Sequence, residues 1–140
     1  MKLLIDTNVI MDVLIAREPF LTDSRYVMEL CKEQDIQGYV AAHTMTNLFY
    51  MLHKYYPTNE CRNILLAVLD IFSVLSIDER KIRTALQNEN FKDFEDCLQA
   101  ECGQEAKVDY IVTRNAKDFG NSEIPCLSPG EVRNLFPQEA

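Results

Sequence analysis

Short apolar runs alternate with helix-spaced stretches along the whole chain, and that alternation restricts the fold more than any other feature of the sequence. Lys2-Leu3-Leu4-Ile5 is an apolar run closed by Asp6-Thr7-Asn8, which reads as a buried strand leading into a helix N-terminus. Val9, Ile10, Val13 and Leu14 then recur at helical spacing up to Arg17, and Pro19 stops the pattern. A second helix is expected to start between Thr22 and Ser24 and to carry Val27, Met28, Leu30 and Cys31. Gly38 to Ala42 is strand-like, and His43-Thr44 opens a helix with Met45, Leu48, Phe49, Met51 and Leu52 on its apolar side. Pro57-Thr58 begins another, expected to bury Ile64, Leu65, Val68 and Leu69. Phe72 to Ile77 is a strand candidate, and Asp78 is a good N-cap for a helix from Glu79 through Gln87. After a polar break from Asn88 to Lys92, a helix is expected from Asp93 to Ala106 and a strand from Asp109 to Thr113. Arg114 to Gly120 reads as a loop or single turn, and Pro125-Cys126-Leu127 as a last short strand. Ser128-Pro129-Gly130-Glu131 is a capping box with proline at the first helical position, opening a terminal helix through Phe136.

Strands that alternate with helices imply an α/β domain: a mainly parallel sheet covered by helices on both faces, hence three layers, α/β/α. A length of 140 residues suits one domain, taken as residues 1–140, with room for a real core. No apolar run approaches the length of a membrane span, so no membrane association is expected. An acid stands at position 6, where a signal peptide would need a long apolar stretch, and a cytoplasmic location is expected. Cys31, Cys61, Cys97, Cys102 and Cys126 form no C-x-x-C pair and are odd in number, which argues against a disulfide framework and against a zinc site.

In open parallel sheets, function gathers beyond the carboxyl ends of the strands. Asp6 follows the first strand directly. Asn115 and Asp118 follow the Ile111-Val112 strand, and Asp93, Glu95 and Asp96 open the helix that leads into it. His43 and Asn47 lie just past the Tyr39 to Ala42 strand. Oxygen ligands from separate segments thus converge at one edge of one sheet. Clustered carboxylates repel one another unless something positive compensates. A hard divalent cation is the natural compensator, because Mg²⁺ and Mn²⁺ prefer carboxylate, amide oxygen and water. Such an ion polarises a phosphodiester and activates a water. It would also supply positive charge to a chain whose formal charge is −8, an awkward value for binding a phosphate backbone.

Each residue has a plainer reading. Asp6 caps a helix; Asp93, Glu95 and Asp96 complement a helix dipole; Asn115 is a turn residue; Asn47 is an amide with no chemical task; His43 is a loop or capping histidine. Cys97 and Cys102 read as small buried side chains. The signal lies in their joint placement.

Leu4-Ile5-Asp6-Thr7-Asn8-Val9-Ile10 resembles the opening signature of the PIN-domain family. Phe94-Glu95-Asp96-Cys97-Leu98-Gln99-Ala100, followed by Asp109 through Phe119, resembles its C-terminal signature, and Pro125 to Glu131 resembles its usual ending. The resemblance implies a compact α/β/α fold and a Mg²⁺- or Mn²⁺-dependent ribonuclease, and includes VapC-like toxins of toxin–antitoxin pairs, so an antitoxin protein and a homodimer are implied partners. By position, Asp6 matches the first family acid and Asp96 the third. The second, usually the Glu of Thr-x-x-Glu-Leu, falls at Asn47 in Thr44-Met45-Thr46-Asn47-Leu48, and the fourth falls at Asn115. Asp118 is the nearest carboxylate to substitute for it. An amide lends oxygen to a cation but no charge.

The resemblance therefore assigns Asp6, Asp96 and Asp118 to the metal, and Asn47 and Asn115 to its waters. Arg114, Lys117, Thr7 and Asn8 are assigned to RNA. The alternative is a PIN-like module with a depleted site that binds RNA or protein without cutting. Aspartyl phosphatase chemistry is disfavoured because position 8 is Asn, where an acid is needed; a receiver domain is disfavoured because the middle strand ends in Ala41-Ala42, without an acceptor Asp.

Overall fold

The computed structural model describes residues 1–33 and 36–137. Five strands form one sheet: β1 (Lys2–Ile5), β2 (Gln37–Ala41), β3 (Ser73–Leu75), β4 (Tyr110–Val112) and β5 (Cys126–Leu127), in spatial order β3-β2-β1-β4-β5. All neighbours are parallel, and Leu4 lies opposite both Tyr39 of β2 and Ile111 of β4. Seven α-helices surround the described sheet: α1 (Thr7–Leu14), α2 (Leu21–Lys32), α3 (Ala42–Leu52), α4 (Thr58–Ile71), α5 (Glu79–Gln87), α6 (Phe94–Ala106) and α7 (Pro129–Leu135). No helix among the described residues is long and apolar enough to cross a membrane.

The period of two in β1 divides the core. Leu3 and Ile5 point into a cluster with Val9, Ile10, Val27, Leu48, Leu65 and Val132 from the helices of one face. Leu4 points the other way, onto Ala100, Val108, Ile111 and Phe119. The helix pair α5–α6 adds Ala85, Cys97 and Leu98. Burial on both faces explains why the strands read as unbroken apolar runs. The chain is thus the expected three-layer α/β/α fold with a parallel sheet.

The order of the strands fixes where a site can form. From β1 the chain moves outward through β2 and β3, then returns to the other side of β1 as β4, so β1 and β4 flank a topological switch point. The helix over that crevice, α6, comes unusually close to the sheet. A Cβ on Gly103 would lie 3.0 Å from Ile124 Cδ1 and 3.1 Å from Leu4 Cδ2, so the glycine sets the depth at which α6 rests.

Element ends differ from expectation in modest ways. Helix α1 stops at Leu14 rather than Arg17, because Ala16 adopts the left-handed conformation at φ 51°. Strand β3 is shorter than Phe72 to Ile77 and occupies the sheet edge. Leu69 is 44% exposed, not buried. The buried stripe of α4 runs Cys61, Leu65, Val68, and Leu69 sits about 100° further round the helix than Val68. All five cysteines are free, and Cys97 and Cys102 are buried. Ser128 and Glu131 form the reciprocal capping box at α7.

Candidate active site

Asp6 is held more tightly than a capping role requires. It follows β1, caps α1, and is 6% exposed. Its Oδ1 accepts from the Thr7 backbone N–H at 2.8 Å and from Gln99 Nε2 at 2.9 Å. Its Oδ2 accepts from the Thr113 hydroxyl at 2.8 Å. Two lone pairs on each oxygen mean that Oδ1 is filled, while Oδ2 keeps one acceptor direction. Three elements, α1, α6 and the end of β4, therefore aim one carboxylate. Thr7 adds a fourth by bonding the buried Thr44 on α3, oxygen to oxygen at 3.1 Å.

The functional roles of Gln99 and Thr113 are not read from the sequence, although both stand within quoted motifs. A signal exists for Gln99: it lies one helical turn beyond Asp96 on α6, hence on the same face. Thr113 had a weaker one, as the residue that leaves β4 beside the carboxyl end of β1.

The N-terminus of α6 faces α3. Asp93 is its N-cap, accepting from the Asp96 backbone N–H at 2.9 Å, as the plainer reading of that acid has it. Asn47 is not core-bonded: its Nδ2 donates to Glu95 Oε2 at 3.3 Å. His43 Nε2 lies 3.1 Å from the Glu95 carbonyl oxygen, so that nitrogen carries a proton, and Nδ1 has no partner among the described residues. Burial lowers the His43 pKa, against the opposing pull of Glu95, Asp6 and Asp93. Asn115 caps the single 3₁₀ turn Ala116–Phe119 with an ordinary negative φ, and its N–H donates to the Thr113 hydroxyl at 3.0 Å. Asp118 lies on that turn.

These groups line one open cleft of about 450 Å³. Asp6, Thr7 and Asn8 come from the start of α1; His43, Asn47, Tyr50 and Met51 from α3; Asp93, Glu95, Asp96 and Gln99 from α6 and its cap; Asn115 and Asp118 from the turn after β4. The lining contains five carboxylates and, among the described residues, no lysine or arginine. The consequence appears at Asp96. Burial first, then Asp93, Asp6, Asp118 and Glu95, push its pKa from 3.8 up to about 7. A hollow of about 430 Å³ at the amino ends of β2 and β3, lined by Ile36, Gly38, Asp70 and Phe72 among others, has no comparable set of charges among the described residues.

Arg114 and Lys117 stand outside this cleft lining, and Arg114 is engaged on the other side of its loop. Its Nε is 2.8 Å from Asp12 Oδ2 and its NH2 donates to Asp12 Oδ1 at 3.2 Å, while its guanidinium stacks over the Phe20 ring. Asp12 is fully buried, so the arginine compensates an interior charge. Lys117 is exposed on the 3₁₀ turn.

The donor chemistry of the cleft fits a hard divalent ion: carboxylate and amide oxygens, with a rise in the Asp96 pKa that a cation would relieve. Among the described residues, no group of three or more His, Cys, Asp or Glu side chains is arranged as a ready metal cage. The fit is with an ion held by one or two carboxylates that keeps several waters, as Mg²⁺ does.

Comparison with known proteins agrees on the architecture. The sequence profile described as PIN domain matches residues 2–117. A chain of the VapBC2 structure from Rickettsia felis, bound to a DNA fragment from their promoter, superposes with a TM-score of 0.69 at 15% identity, covering 91% of this chain and 98% of that one. A toxin–antitoxin complex from Klebsiella pneumoniae gives 0.67 at 21% identity, covering 90% and 96%. DNA-bound VapBC from Salmonella typhimurium gives 0.66 at 18%, covering 92% and 98%. Curated protein sequences provide no significant match.

Proposed function

The chain belongs to the PIN domain family, and on that premise we propose that it is a Mg²⁺- or Mn²⁺-dependent endoribonuclease acting as the toxin of a toxin–antitoxin pair. The observation that carries the reading is the cleft at the switch point, where Asp96 is pushed up to about 7 by burial and four neighbouring carboxylates. That repulsion is the electrostatic counterpart of a cation site.

In this reading Asp6, Asp96 and Asp118 would hold the ion, and Asn47 and Asn115 would orient its waters. When bound, the ion supplies Lewis-acid polarisation of the phosphodiester and a water of lowered pKa. The protein's own part is positioning. Thr7, Gln99 and Thr113 fix the Asp6 carboxylate, leaving one acceptor direction on Oδ2. Asn47 steadies Glu95 across the cleft. His43 donates from Nε2 to the Glu95 carbonyl, and its Nδ1 has no partner among the described residues. Thr7 and Asn8, at the start of α1, and Lys117, on the exposed turn, would meet substrate phosphates in this reading. The toxin–antitoxin complexes among the similar folds support an antitoxin protein as partner, and a homodimer follows from the same family reading.

A second reading is favoured by one specific observation: Asn47 and Asn115 line the cleft as amides where the resemblance expects acids, and no three-acid cage forms among the described residues. On it the chain binds RNA or a partner protein without cutting. Cation dependence separates the two. With a net charge of −8, RNA affinity should rise with Mn²⁺ well beyond the effect of NaCl at matched ionic strength, and Asp6→Asn should remove most of that rise. Equal affinity in NaCl with EDTA would favour the binding module.

A further inference from the structure

Gln99 presents an unusual imbalance. It is 2% exposed, on α6 one turn beyond Asp96, and its two amide atoms have different fates. Nε2 donates to Asp6 Oδ1 at 2.9 Å. Oε1 is buried and has no hydrogen-bond partner among the described residues. Rotating the amide would not help, because it would turn Oε1 against a carboxylate oxygen that already accepts from Thr7 N–H. The bond to Asp6 therefore fixes the amide with its acceptor unpaired and buried, on a residue that lines the acidic cleft.

A buried acceptor without a partner is costly, and it calls for either a donor or a positive charge. A water would satisfy Oε1 alone. A divalent cation would satisfy Oε1, the remaining acceptor direction of Asp6 Oδ2, and the excess of carboxylates in the cleft together, and amide oxygen is a normal ligand for such ions. We infer that Gln99 is a metal ligand: its Oε1 binds the divalent cation while its Nε2 orients the adjacent Asp6 carboxylate. This rests on the metal-dependent reading above and adds to it a neutral oxygen donor in a site where two positions are amides in place of acids.

The test is Mn²⁺ titration followed by electron paramagnetic resonance, without RNA, on the whole chain and on Asp6→Asn, Gln99→Leu and Gln99→Glu. Pulsed measurement of inner-shell waters accompanies it. If the wild type binds no Mn²⁺, or Asp6→Asn binds it equally well, the metal-dependent reading fails and the inference with it. If the wild type binds through Asp6, Gln99→Leu should weaken affinity by about tenfold or more and add one water to the ion's inner shell. Gln99→Glu should restore affinity and the lower water count, because it returns an oxygen at the same reach. Unchanged affinity and water count in Gln99→Leu would overturn the inference while leaving the reading intact. Loss in both variants would overturn it too, since only the orientation of Asp6 by Nε2 would then matter. Melting in EDTA checks folding, and Gln99→Met replaces Gln99→Leu if the latter does not fold.

Discussion

Arg114 Nε stands 2.8 Å from Oδ2 of the fully buried Asp12, joining the loop after β4 to the middle of α1. The same carboxylate receives the Ser24 hydroxyl at 3.2 Å and Arg17 NH1 at 3.3 Å. The arginine flanked by Thr113 and Asn115 therefore anchors the loop that presents them, while its charge is spent on the interior.

Removing this arginine should act on stability more than on RNA. Arg114→Ala leaves Asp12 with Arg17 and Ser24 only, and should cost about 2 kcal/mol of unfolding free energy, measurable by urea titration. A phosphate-binding arginine would lower the salt slope of RNA binding by about 0.7 when removed. The slope should stay unchanged, and a fall of that size would return Arg114 to the substrate.

Protonation of Asp96 couples the cleft to pH. Its pKa is about 7 in the folded chain against an ordinary 3.8, so between those values the folded state binds more protons than the unfolded one. Stability from this group is fully present below 3.8 and is lost as pH rises through about 7. In EDTA, the melting temperature should fall more steeply from about pH 5 to 8 in the wild type than in Asp96→Asn. Mn²⁺ affinity should rise over the same window, because cation and proton compete for one carboxylate. Parallel melting curves for the two proteins would contradict the assignment.

Restoring an acid at the fourth family position tests the role of the amides. Asn115→Asp should tighten Mn²⁺ binding and raise any RNA cleavage rate. Asp118→Asn should then matter less in that background than in the natural chain. If Asp118→Asn changes neither quantity in either background, Asp118 takes no part in the site.

Much of this was legible in the sequence because it depends on local periodicity. The run Leu3-Leu4-Ile5 announces a strand buried on both faces, and Ser128 with Glu131 announces a helix start, since each signal is complete within a few residues. The convergence of Asp6, Asp96, Asn47, Asn115 and Asp118 on one cleft follows from parallel strands, whose carboxyl ends share one edge. The partners of individual polar groups were not legible. Gln99 bonds Asp6 across 93 positions of sequence, and Arg114 bonds Asp12 across 102. No periodicity encodes such pairs; they arise from the depth at which α6 and the β4 loop pack. The buried acid that Arg114 neutralises is visible only once α1 and the β4 loop are packed together.

Cleavage itself bears most directly on the central claim. Purified chain is incubated with end-labelled single-stranded RNA in Mn²⁺, in Mg²⁺ and in EDTA, beside Asp6→Asn and Asp96→Asn proteins whose folding is confirmed by their melting. The account predicts internal cleavage that requires the cation and falls roughly a hundredfold or more in each variant. Cleavage that persists in EDTA, or that Asp6→Asn leaves unchanged, would contradict it.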